Sequence, residues 1–60
     1  MNRREAKVIA LEGAAQAVSN LIEEGWPYGD DSLTDEDCER VRTEMDAISK
    51  RLRTRAGALT

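Results

Sequence analysis

The chain has 60 residues, with nine Lys or Arg, twelve Asp or Glu, one Cys, no His and a formal net charge of -3. A chain this short makes one domain and buries only roughly 60% of the surface that its unfolded form exposes, so it needs a disulfide, a metal, good helix packing or a partner chain. The lone Cys38 and the lack of His exclude the first two within one chain.

The charged start Met1-Asn2-Arg3-Arg4-Glu5 is unlike a signal peptide, and no apolar run approaches the ~20 residues of a membrane span. The expectation is a soluble, cytoplasmic, all-α protein. Its layout is a helix over about 3–24, a corner over 25–34, a second helix over about 35–55 and a frayed tail over 56–60.

Asn2 followed by Glu5 is a capping-box spacing that starts the first helix. Arg3 and Arg4 fall in its first turn, where the helix dipole disfavours positive charge. They serve either solubility and pairing with acids such as Glu5, or a binding surface. Val8, Leu11, Ala15, Val18 and Ile22 recur in steps of three and four and draw the core-facing seam. Beside it runs a second row, Ala6, Ala10, Ala14 and Ala17, with Gly13 between and Leu21 below. One hairpin needs only one seam, so Ala10, Gly13, Ala14, Ala17 and Leu21 are candidates for a dimer interface. Gly13 costs about 1 kcal/mol relative to Ala inside a helix; it is either a tolerated defect or the point where a neighbouring helix crosses close enough to offset that cost.

The first helix ends with Glu24 as C-cap, Gly25 in the left-handed conformation, Trp26 placed to pack back on Leu21, and Pro27 forbidding continuation. Trp26 and Tyr28 are the only aromatic residues. They either plug the end of the core or form an exposed anchor for a partner. With Asp30 and Asp31 they are the partner-binding candidates, since capping does not explain them. The Asp30-Asp31-Ser32-Leu33-Thr34-Asp35 spacing does not match a calcium loop. No metal or cofactor is expected.

Thr34 is the predicted N-cap of the second helix, with Asp35, Glu36 and Asp37 in its first turn and Asp37 at the capping-box position. Leu33 and Cys38 are spaced as a hydrophobic staple, and the surrounding acids push the Cys38 thiol up, giving it a structural role. Cys38, Val41, Met45, Ile48 and Leu52 form the second seam. Arg40, Arg42, Glu44, Asp46, Ser49 and Lys50 make a solvated face with the pairs Glu36–Arg40 and Asp46–Lys50. Gly57 marks a stop.

Folding at the corner gives an antiparallel two-helix hairpin with a charge dipole. Arg3, Arg4, Lys7, Lys50, Arg51, Arg53 and Arg55 gather at one tip, while Glu23, Glu24, Asp30, Asp31, Asp35, Glu36, Asp37 and Glu39 lie at the other. No nucleophile, base and phosphate-loop constellation can be assembled, and a single hairpin has no room for the ~300 Å³ of a ligand site, so enzyme activity is not expected. The wide apolar arc of the first helix points to an antiparallel homodimer, a four-helix bundle in which each basic tip meets an acidic corner. Beyond it stands an unidentified protein partner. The alternatives are nucleic-acid binding through Arg3, Arg4, Lys7, Arg51, Arg53 and Arg55, which the acidic total disfavours, and mimicry of a phosphate run by the acidic corner.

Arg3-Arg4-Glu5-Ala6 opening an Ala-rich helix, Gly25-Trp26, Gly29-Asp30-Asp31, Leu33-Thr34-Asp35-Glu36-Asp37 and the Arg-rich finish together resemble the small accessory proteins of actinobacterial phages. The resemblance implies a dispensable protein of the host cytoplasm that acts on a host or phage macromolecule, and it carries over no activity residues.

Overall fold

Asn2 and Thr34 each cap a helix, and between them the chain reverses once. The computed structural model describes residues 1–60 as α1 (Arg3–Glu23) and α2 (Asp35–Leu59), packed antiparallel into a rod of 43 × 16 × 15 Å. No helix is long and apolar enough to cross a membrane. Asn2 Oδ1 accepts from the Glu5 amide at 2.9 Å. Glu5 differs from a full capping box: its carboxylate accepts from the Asn2 side-chain amide at 3.4 Å, not from the backbone. Thr34 and Asp37 complete theirs in both directions.

α1 packs along its expected seam. Ala15 is fully buried, and Val8, Leu11, Val18 and Ile22 are half-buried around it. In α2 the seam is rotated from the expected one. Cys38 and Met45 are buried as expected, but Ile48 is 43% exposed and Ser49 takes the inward position. The cause is the closeness of the helices at this level. The Ser49 hydroxyl donates to the Ala15 carbonyl at 3.3 Å and lies 3.1 Å from the Ser19 hydroxyl. A branched Ile side chain does not fit between backbones this near. The small pair Ala15 and Ser49 sets the contact, and the hydroxyls satisfy each other where water is excluded.

A second correction concerns the end of α2. The helix does not stop near residue 55 but runs through Gly57 to Leu59, and Ala56 is buried, so residues 56–59 are not a frayed tail. Gly57 is helical because Ala56 and the half-buried Leu59, on the two sides of it, face inward opposite the start of α1. That packing outweighs the poor helix propensity of glycine.

A methyl group added at Gly57 would meet no other atom of the chain. Gly57→Ala should therefore stabilise the fold by about 1 kcal/mol, measured as a higher urea midpoint with an unchanged slope.

Candidate protein-interaction surfaces

The corner is built by the end of α1. Glu24 is the C-cap and Gly25 has φ 86°, a left-handed conformation suited to glycine. The Gly25 amide donates to the Ile22 carbonyl and the Trp26 amide to the Leu21 carbonyl, both at 3.1 Å. These are the two bonds of a Schellman motif.

Pro27, not an aromatic residue, plugs the end of the core. It is among the most buried side chains, and the Cys38 thiol donates to its carbonyl at 3.6 Å. Burial first, then the charges of Asp35, Asp30, Asp37 and Glu39, push that thiol above its ordinary 9.0. Cys38 is thus a buried packing group.

Arg42 does not lie on a solvated face. Its guanidinium donates to the Ile22 carbonyl at 2.9 Å and to the Trp26 carbonyl at 3.0 Å, and it sits 5.4 Å from the centre of the Tyr28 ring. One cation from α2 therefore serves two carbonyls at the corner, that of Ile22, which also accepts the Gly25 amide, and that of Trp26 just beyond α1, where the helix dipole favours positive charge. The signal was present in the sequence, since Arg42 is four residues from Cys38 and three from Met45, on the edge of the same stripe.

Among the partner-binding candidates, Tyr28 is held internally. Its hydroxyl donates to the Glu39 carboxylate, which with desolvation raises the phenol above its ordinary 10.0. Asp30 is also absorbed by the corner, accepting from the Ser32 hydroxyl at 2.6 Å and the Ser32 amide at 2.9 Å. Both bonds favour the ionised form and hold its carboxyl below the ordinary 3.8. Asp31 is exposed and makes no hydrogen bond within the chain. Trp26 is 49% exposed. Of the four, Trp26 and Asp31 remain unengaged.

The dimer-interface candidates lie together. Ala10, Gly13, Ala14 and Ala17 are exposed, and Leu21 is 39% exposed. With Ala6 they form one face of α1 turned away from α2, and no charged side chain interrupts it at helical spacing. A methyl group at Gly13 would meet nothing in the hairpin, so no helix of the same chain crosses there.

The two flanks of the hairpin differ. Along one, Arg42, the Ser19 and Ser49 pair, and Arg53 donating to Gln16 at 3.4 Å stitch the helices together. The opposite flank of α2 presents Ile48, an exposed aliphatic side chain.

The charge dipole is less sharp than the sequence suggests. Ser49 lies level with Ser19 and Arg53 with Gln16, so Lys50, Arg51 and Arg53 sit near mid-rod. Arg55 lies two residues, about 3 Å, further along α2. Arg3, Arg4 and Lys7 alone hold the open end of the rod. The two ion pairs of the chain are Arg40–Glu36 at 3.0 Å and Lys50–Asp46 at 2.8 Å, both exposed. Arg3 and Arg4 thus make no ion pair, with Glu5 or any other acid. Nor do Glu23 and Glu24 at the corner.

Two shallow, open grooves lie on the surface of the hairpin. One, of about 390 Å³, is lined by Arg4, Glu5, Val8, Ile9, Leu59 and Thr60. The other, of about 340 Å³, is lined by Glu36, Glu39, Arg40, Thr43 and Glu44. Compared with protein-family models, curated proteins and solved structures, the chain finds no match in any of the three.

Two outcomes are expected at the corner. Arg42→Met should cost about 1.5–3 kcal/mol in urea unfolding, because two carbonyls lose a charged donor. The Asp30 turn is complete above the carboxyl's ordinary 3.8 and is lost only as pH falls through its lower folded value. The Ser32 amide resonance should therefore titrate with a midpoint below 3.8, and Asp30→Asn should abolish that step.

Proposed function

We propose that this protein works by protein–protein contact as a self-associating helical hairpin, two copies pairing antiparallel into a four-helix bundle. The observation that carries the reading is the uncovered outer face of α1, Ala10, Gly13, Ala14, Ala17 and Leu21, exposed along its whole length and free of charge. Small residues permit close approach of a second helix, as Ala15 and Ser49 already do within the hairpin.

The amount of surface agrees. The chain exposes 4578 Å², whereas a compact monomer of 6.7 kDa exposes roughly 3,900 Å². The excess is close to the ~800 Å² that each partner contributes to a standard interface. Charge selects the orientation: opposed rods bring Arg3, Arg4 and Lys7 beside Glu23 and Glu24, while rods in the same direction set like against like. The resulting bundle is a rigid scaffold for contacts with a further macromolecule, in keeping with a phage accessory protein acting on a host factor.

Sedimentation equilibrium at micromolar concentration should give twice the chain mass of 6.7 kDa. Ala14→Glu, a good helix former at an exposed position, should give a monomer of unchanged helix content, since it places a charge on the face that pairs. A wild-type chain that sediments as a folded monomer overturns the reading.

A further inference from the structure

We infer that Trp26 of each hairpin seats in the open-end groove of a second copy, between Val8, Ile9 and Leu59 and beside Arg4, so that the pair is locked at both ends. This rests on the antiparallel dimer proposed above and names the contact that fixes its register.

The indole is presented, not loosely tethered. Its residue's amide is held by the Leu21 carbonyl and its carbonyl by Arg42, and the next residue, Pro27, is buried. Yet the ring is half exposed, and its N–H has no acceptor within the chain. A large apolar side chain fixed at its base and unpartnered at its tip has the form of an interface anchor.

The groove is complementary. Val8, Ile9 and Leu59 give it apolar walls, and Ile9 is 57% exposed. Its volume of about 390 Å³ admits an indole. Arg4 supplies an unpaired guanidinium for the ring face, and Glu5 supplies an acceptor for the indole N–H.

The surrounding charges match as well. Glu23 and Glu24 lie just before Trp26, while Arg4 lines the groove and Arg3 and Lys7 share its end of α1, and Arg3, Arg4, Glu23 and Glu24 make no ion pair in the single hairpin. Ile9 is three residues from Ala6 and four from Gly13, so the groove continues the small-residue face of α1. Two rods of 43 Å overlapped in opposite directions place each open end at the other's corner. The two-fold axis then makes the contact twice and closes the assembly.

Trp26 is the only tryptophan, so its fluorescence reads this contact directly. Emission and acrylamide quenching are followed over a concentration series, with sedimentation on the same samples. The expected result is a blue shift and loss of quenching that track dimer formation. A dimer whose Trp26 emission stays that of an exposed indole overturns the seating and leaves the dimer standing. A monomer throughout removes both.

Ile9→Ser, a change at an exposed position, should weaken dimerisation by about tenfold while the single hairpin keeps its helix content. An unchanged dissociation constant contradicts the proposed groove.

Discussion

Ser49 of α2 bonds to the backbone of α1 at Ala15, and much of the molecule follows from that contact. A serine hydroxyl on the backbone carbonyl of the facing helix requires the two axes to approach closely. Small side chains make this approach feasible, but they bury little apolar surface, at about 25 cal/mol per Å². Ala15, Cys38, Met45, Ser49 and Ala56, with Pro27 at the corner, are the buried residues of the whole chain. A core this thin accounts for the large exposed area and for the value of every bond that holds the corner in place.

The corner compensates through hydrogen bonding more than through apolar burial. Arg42 reaches from α2 to two carbonyls at the end of α1, Tyr28 ties back to Glu39, and Asp30 closes its own turn on Ser32. Much of the acidic cluster therefore has internal work: Asp37 caps, Glu36 pairs with Arg40, and Glu39 accepts from Tyr28. Glu23, Glu24, Asp31 and Asp35 are left without side-chain partners, at the end of the rod that carries the half-exposed indole. What this end offers to another molecule is thus smaller and more specific than a run of negative charge.

Helix punctuation was legible in the sequence because it depends on neighbours a few residues apart. Asn2, Thr34 with Asp37, and Gly25 with Trp26 act where local spacing placed them. The seam of α1 was equally legible, since its apolar residues fall in one stripe. In α2 two stripes compete: Cys38, Val41, Met45, Ile48, Leu52 and Cys38, Arg42, Met45, Ser49, Leu52 are both helical spacings. Hydrophobicity favours the first, and the close approach at Ala15 selects a seam nearer the second. Gly57 misled for a related reason, because local propensity marks a stop that packing of Ala56 and Leu59 overrides. Pro27 read only as a helix breaker, whereas its ring also fills the end of the core. Long-range partners decided each of these positions, and spacing alone does not carry them.

The candidate surfaces divide in the same way. The bare face of α1 could be read directly, as a row of small residues that one hairpin has no means of covering. The basic tip could not, because the register that places Arg51 and Arg53 near mid-rod depends on where α2 ends and how it slides along α1. If a second copy covers the bare face, folding and pairing are linked, and stability must depend on mass action. The decisive measurement is the thermal midpoint across a hundredfold dilution series. A midpoint that rises steadily with protein concentration is expected; a single sharp transition at the same temperature throughout would contradict a hairpin completed by its own copy.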